Sequence, residues 1–256
     1  MQRAICLLAV IPMRKEPSHR SEMVSQVLFG EYVILGEEKD DFVFVKCDYD
    51  NYEGWAQRKQ LTRVDEVEVF HMVDYTKNFT TMVSIGDTLL QVPYTTPVFQ
   101  HNGLSFQIKG IKIEYLLLPL QVRSIGQLTL NSQTMPAVYQ HFINTPYLWG
   151  GKSVFGIDCS GFVQQVFKVY GIKLLRDAYL QAEQGEAVNS LAESKLGDLA
   201  FFKNEKERVT HVGIILEGNK IIHASGKVRI DTIDEEGIVT DVGERTHRMH
   251  SVRRFY

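Results

Sequence analysis

Short apolar runs, and stretches in which apolar and polar residues alternate, fill the first half of the chain at the period of a β-strand. They fall at Ala4 to Ile11, Met23 to Leu28, Tyr32 to Glu37, Phe42 to Cys47 and Gly54-Trp55-Ala56, separated by turn residues at Gly30, Asp40-Asp41 and Asp48-Tyr49-Asp50-Asn51. The pattern predicts a small all-β barrel over residues 1–64. The β character repeats over 66–128, most plainly at Val83 to Asp87 and Gly103 to Ile108, and predicts a second, divergent barrel. Ser124 to Pro136 then reads as a connection into a third domain, 134–256. There the period changes. Phe162, Val163, Val166, Phe167 and Tyr170 recur at helical spacing, with Gly171 as the stop. Leu199 to Phe202 reads as a buried strand, and Thr210 to Leu216 with Lys220 to Ser225 as a hairpin. Helix and strands together make the fold class α+β.

The hairpin loop decides where two histidines point. A two-residue turn at Gly218-Asn219 would pair Ile214 with His223 and send His211 to the opposite face. A three-residue loop, Glu217-Gly218-Asn219, pairs Leu216 with Lys220 and Gly213 with His223, which makes the histidines diagonal neighbours on one face. Asn219 tolerates the left-handed conformation that this loop needs, so the three-residue register is expected.

Cys159 lies after a glycine-bearing loop and at the start of the helical pattern. Unpaired amides and the positive end of the dipole favour thiolate there, so a lowered thiol pKa is expected. A thiol attacking an acyl carbon needs a base and a third group that fixes the base's tautomer, and His211 and His223 are the candidates. Asp158 is placed to cap the helix. Cys6 and Cys47 lie in apolar strand-like runs and are expected to be buried and inert. For His19, His71, His101, His141, His247 and His250 the expectation is a solvated or satisfied ring.

Composition narrows the partners. Of 256 residues 44% are hydrophobic and 23% charged, and the net charge of −3 argues against nucleic acid or an anionic membrane as a main partner. Three cysteines cannot all pair, and one kept reduced fits the cytoplasm, with a periplasmic or secreted address as the alternative. Ala4 to Ile11 is short for a leader core and reads as a buried strand. No stretch approaches the roughly twenty apolar residues of a spanning helix.

Five motifs carry a resemblance. Tyr147-Leu148-Trp149-Gly150-Gly151, Asp158-Cys159-Ser160-Gly161-Phe162-Val163, Gly197-Asp198-Leu199-Ala200-Phe201-Phe202, His211-Val212-Gly213-Ile214-Ile215 and Ile221-Ile222-His223-Ala224-Ser225 follow one another as in the NlpC family of papain-like cell-wall peptidases. The resemblance implies Cys159 as nucleophile, His211 as base, His223 as orienting residue, and Tyr147 with the Cys159 amide at the oxyanion. Leu28-Phe29-Gly30-Glu31, Asp40 to Val45 and Tyr52-Glu53-Gly54-Trp55 resemble a bacterial SH3 domain. Two SH3-like barrels before such a domain resemble the γ-D-glutamyl-L-diamino acid endopeptidases (dipeptidyl-peptidase VI type) of murein peptide recycling. These release L-Ala-γ-D-Glu from diaminopimelate-containing stem peptides with a free N-terminal L-alanine.

By that resemblance Glu22, Tyr52, Trp149, Asp158, Ser160, Arg176 and Asp177 bind the substrate. Arg176-Asp177-Ala178 departs from the hydroxyl-bearing position expected there. No cofactor is implied, and a monomer is expected. Zinc on the cysteine and two histidines is a weaker reading, because no short ligand spacing accompanies them. The rival functions are an endopeptidase on intact murein with the barrels as targeting modules, a thiol acyltransferase on the same fold, and a non-catalytic wall-binding protein.

Overall fold

Each strand-period run before residue 64 forms a strand, except that the first forms two. Ala4 to Ile11 is not continuous: β1 (Arg3–Ile5) ends before the bend at Leu8-Ala9, and β2 (Val10–Arg14) begins after it. The sheet explains the break. With β3 (Met23–Leu28), β4 (Tyr32–Lys39), β5 (Phe42–Cys47), β6 (Glu53–Gln57) and β7 (Thr62–Val64), these strands form a seven-stranded sheet in the order β3-β2-β6-β5-β4-β1-β7. One apolar run thus supplies strands to two separated places in the sheet. In the computed structural model the described residues are 2–70, 74–99 and 104–256. His71, His101 and Gly103, named above, lie outside them.

Two units divide the chain: Met1–Gln127 with Lys152–Val154, and Leu128–Gly151 with Phe155–Tyr256. In the first unit the strands β8 (Asp74–Thr76), β9 (Thr80–Ile85), β10 (Thr88–Pro93), β11 (Pro97–Val98), β12 (Ser105–Ile108), β13 (Ile111–Tyr115) and β14 (Val122–Ser124) follow β7. They form two sheets, β10-β9-β13-β12 and β11-β8-β14. Strand alternation feeds two cores from β1. Ala4 joins Cys6, Ile11, Met13, Val27, Val33, Val43, Val45, Cys47 and Ala56. Ile5 points the other way and joins Phe29, Tyr32 and Val64 against Val83, Val98, Phe99, Phe106, Ile113 and Tyr115. The stretches 1–64 and 66–128 therefore share an apolar cluster. β15 (Lys152–Ser153) also belongs to this unit. Lys152 is buried, with its ammonium 3.2 Å from Glu31 and its backbone N–H donating to Gln26 at 2.8 Å.

The second unit is also mainly β, so the α+β expectation overstates its helix. Among the described residues its α-helices are α1 (Thr134–Tyr139), α2 (Cys159–Val169) and α3 (Ala178–Gln181). After β16 (Gly156–Ile157), the strands β17 (Glu186–Val188), β18 (Leu199–Lys203), β19 (Val209–Leu216), β20 (Lys220–Ser225), β21 (Lys227–Asp234), β22 (Gly237–Val239) and β23 (Arg245–Arg254) form a sheet in the order β17-β23-β18-β19-β20-β21-β22. A further β22–β23 pairing closes the run from β23 to β22 on itself. Helix α2 starts and stops as its pattern predicts, with Gly171 at φ +76°, but every one of its residues is buried, not only one face. It packs against β19 and β20. No helix among the described residues is long and apolar enough to cross a membrane.

Candidate active site

Register places the two histidines. Leu216 pairs with Lys220 and Gly213 with His223, and Asn219 takes φ +56°, as the three-residue loop requires. A Cβ on Gly213 would come within 2.9 Å of the His223 Cβ, so a glycine there leaves room for the imidazole. His211 and His223 meet: His211 Nε2 is 2.8 Å from His223 Nδ1, with the rings at 86°.

A third residue completes the line. On β21, Arg229 pairs with His223, and Asp231 is the next residue on the same face. Asp231 Oδ2 lies 2.9 Å from His223 Nε2, and both side chains are 1% exposed. Its other oxygen accepts from Arg229 at 2.8 Å. A carboxylate only accepts, so His223 carries its proton on Nε2 and presents a lone pair on Nδ1. That lone pair takes the Nε2–H of His211, which leaves His211 Nδ1 as an acceptor. The neighbours thus select one tautomer for both rings.

His247, expected to be solvated or merely satisfied, instead stacks on His211 with ring centroids 4.1 Å apart at 28°. Burial, then the neighbouring His247 and His223, hold His211 well below the ordinary imidazole value. Burial lowers His223 against the pull of Asp231, and brings His247 down to about 4. All three rings are neutral near pH 7. His211 and His247 face a cleft of about 330 Å³, with Tyr147, Thr210, Ser225 and Gly226 on its walls.

Cys159 opens α2, and its sulfur lies 4.0 Å from the carbonyl oxygen of Thr210, the residue before His211. It is 5% exposed and unpaired with Cys6 or Cys47, which are buried as expected. The expected lowering of its pKa is not what the surroundings produce. Burial, followed by the Asp158 charge, pushes the thiol up to about 12, against the Val212 and Ser160 amides and Arg176. The resting pair is therefore thiol and neutral imidazole. Burial first, then Cys159 and Asp158, also raise the Tyr147 phenol, which stays a donor at neutral pH.

Asp158 caps α2 by accepting from the Gly161 amide at 2.7 Å. Its carboxylate is heavily used. Oδ1 also accepts from the Ser160 hydroxyl at 3.2 Å and Arg176 Nη1 at 3.0 Å, while Oδ2 accepts from the Gly150 amide at 2.9 Å and Arg176 Nη2 at 2.6 Å. Arg176, 1% exposed, further donates to the Ser160 hydroxyl at 2.9 Å. The glycine at 161 is required, because a Cβ there would stand 2.3 Å from the Gly151 carbonyl oxygen. Three of the residues that the resemblance assigns to substrate thus engage one another and fasten the Gly150-Gly151 loop to the start of α2. Asp177 precedes α3, and Trp149 is 59% exposed. Glu22 and Tyr52 belong to the first unit, where Glu22 pairs with Lys15 at 3.6 Å and Tyr52 packs on the barrel core.

Comparison with known proteins adds the lineage. The NlpC/P60 family pattern matches residues 144–244, which hold Cys159, His211, His223 and Asp231. A Gamma-D-glutamyl-L-lysine dipeptidyl-peptidase of Bacillus subtilis is 31% identical over 226 residues, 82% of this chain and 76% of its own. The chain belongs to the NlpC/P60 family. It is a cysteine peptidase of that family, and its residues 13–61 match the bacterial dipeptidyl-peptidase SH3 domain. Dipeptidyl-peptidase 6 of Lysinibacillus sphaericus is 26% identical and is matched over 91% of this chain and 92% of its own. A crystal structure of an NlpC/P60 family protein from Bacillus cereus shares the fold, with a TM-score of 0.82 and 20% identity over 99% of each chain.

Sequence reasoning missed two residues that the structure brings to this candidate site, Asp231 and His247. Asp231 stands beside Ile230 in a run whose apolar residues suggest the opposite inward face, yet Ile230 is 41% exposed. Its signal was a carboxylate in a strand pairing with the histidine strand. His247 comes from β23, which pairs with β18 and β22 and not with the strands of His211 or His223.

Proposed function

We propose that the chain hydrolyses the γ-D-glutamyl–diamino acid bond of murein stem peptides that carry a free N-terminal L-alanine, in cell-wall peptide recycling. Cys159 is the nucleophile, His211 the base and His223 its orienting partner. Sγ attacks the γ-carbonyl carbon while its proton passes to His211 Nδ1, and the oxyanion is held by the Cys159 amide and the Tyr147 hydroxyl. His211 returns the proton to the departing amine, and water then cleaves the thioester with His211 again as base. The observation that carries this reading is the Asp231–His223–His211 line, which leaves His211 Nδ1 as an acceptor on the strand against which the thiol lies.

The substrate class draws on the names of the relatives. Residues 66–128 are read as a second SH3-like barrel and 134–256 as the peptidase domain. Glu22 and Tyr52 are assigned to the L-alanine end of the peptide, and Trp149 and Asp177 to substrate contact. Asp158, Ser160 and Arg176 keep their assignment to the substrate and in addition hold the loop beside the nucleophile through their mutual hydrogen bonds. A monomer in the cytoplasm belongs to the same proposal.

The test is to incubate the protein with L-Ala-γ-D-Glu-diaminopimelate, its L-lysine counterpart, the N-acetylated forms and purified murein, and to identify products by mass. Release of L-Ala-γ-D-Glu from the free tripeptides alone supports the reading. Equal cleavage of acetylated peptide or intact murein makes the chain an endopeptidase with targeting modules.

A further inference from the structure

We propose that His211, His223 and His247 form a zinc site, and that zinc bound there switches the enzyme off. One ligand nitrogen from each ring can be chosen so that all lie within 4.8 Å of one another. Neutral imidazole nitrogen is the commonest protein ligand for zinc, at about 2.0–2.1 Å, which puts two ligands of a tetrahedral ion roughly 3.4 Å apart. His211 Nε2 and His223 Nδ1 are 2.8 Å apart, so a small opening of the pair admits the ion.

The support around the rings is that of a metal site. Asp231 accepts the Nε2–H of His223 at 2.9 Å, the carboxylate–histidine arrangement that fixes the tautomer and raises the basicity of a zinc-binding imidazole. His247 already lies against His211 at 4.1 Å between centroids. His211 and His247 line the cleft together with Thr210 and Tyr147, so a fourth ligand, water or a substrate carboxylate, would reach a bound ion from there.

Proton balance makes binding and activity exclusive. In the metal-free pair the proton on His211 Nε2 is donated to His223 Nδ1. Zinc needs both of those lone pairs, so that proton transfers through water to His211 Nδ1. No proton is lost overall, and each ring keeps one N–H. Nδ1 is the atom that takes the thiol proton in the proposed reaction, so the metallated enzyme has no base. This inhibitory half rests on the function proposed above, whereas the metal site does not.

The experiment titrates zinc against a competing chromophoric chelator in the full-length, metal-free protein. Wild type, Cys159→Ala, His247→Ala, His247→Gln and His250→Ala are compared, with circular dichroism to check folding. One zinc per chain is expected, with equal affinity in wild type, Cys159→Ala and His250→Ala. Either His247 variant should bind at least 10–100-fold more weakly, the range that even loss of an outer partner costs. Cobalt in place of zinc should give the visible bands of a four-coordinate nitrogen site without a thiolate charge-transfer band. In the tripeptide assay, zinc should inhibit with a midpoint that tracks the binding constant, and EDTA should restore full activity.

The proposal is overturned by the lack of a saturable site in wild type, by zinc affinity unchanged in folded His247→Gln, by its loss in Cys159→Ala, or by full turnover at saturating zinc. An intact zinc isotherm in a protein that cleaves none of the peptides supports the metal site and refutes the peptidase specificity instead.

Discussion

Replacing Asp231 by asparagine tests the tautomer argument with almost no change in shape. The wild-type carboxylate accepts on one oxygen from Arg229 at 2.8 Å and on the other from His223 at 2.9 Å. Asparagine has one oxygen and one NH₂ for these places. Arg229 can only donate, so the oxygen turns to it and the NH₂ faces His223 Nε2. That nitrogen must then carry the lone pair, which moves its proton to Nδ1, against the Nε2–H of His211. The clash is relieved only if His211 moves its own proton to Nδ1, where it can no longer accept from the thiol. Reversing a tautomer by Asp→Asn in a Ser-His-Asp triad costs about 10⁴ in kcat. Here the effect passes through a second ring and some of the population can readjust, so we expect a fall of about 10²–10⁴, or roughly 2.7–5.4 kcal/mol in the barrier. The assay is kcat and KM on the free tripeptide, alongside thermal unfolding. KM should change little and the fold should persist. Because Asp231 acts through His223, adding Asp231→Asn to His223→Ala should cost almost nothing further. Asp231→Asn with kcat within threefold of wild type, or two effects that multiply, would refute the tautomer chain.

Cys159→Ala should abolish turnover with the fold intact, and iodoacetamide on the native protein should label neither Cys6 nor Cys47, both buried with their thiols pushed up; peptide mass mapping checks this. Arg176→Met removes the cation from a carboxylate that stays buried, and should destabilise by about 3–5 kcal/mol in urea unfolding. Recovery of part of that loss in Arg176→Met/Asp158→Asn is expected, and a loss under about 1 kcal/mol for the single variant would show that backbone amides suffice. Glu22→Ala should slow cleavage of the free tripeptide by about one to two orders of magnitude, the worth of a hydrogen bond to a charged group, and leave the acetylated peptide's residual rate unchanged. Equal slowing of both peptides would remove Glu22 from amine recognition.

Features governed by neighbours in sequence were legible. The period of Phe162 to Tyr170 located α2, and the loop chemistry of Gly218-Asn219 set the register that joins His211 to His223. What was not legible depends on partners distant in sequence. Ala4 to Ile11 looks continuous because apolarity is insensitive to which neighbour a strand pairs with, and only the sheet order shows that β1 and β2 are separated. That the Arg176 guanidinium meets Asp158, eighteen positions away, is likewise set by the fold and not by neighbours in sequence. The expected lowering of the thiol pKa comes from the helix terminus, a local feature of the sequence, whereas the burial that outweighs it belongs to the whole fold.

The position of Lys152 bears on how this enzyme can be dissected. Lys152–Val154 falls between stretches of the second unit yet belongs with the first, where its ammonium meets Glu31 out of water. A truncation at residue 128, the boundary that a domain map invites, would keep Lys152 and discard the carboxylate that balances it. The shortened protein would lose the unit with which residues 152–154 pack, a few residues before the nucleophile, so a weak activity would not isolate what the N-terminal half recognises. Single substitutions in the intact chain are therefore the safer way to separate recognition from catalysis.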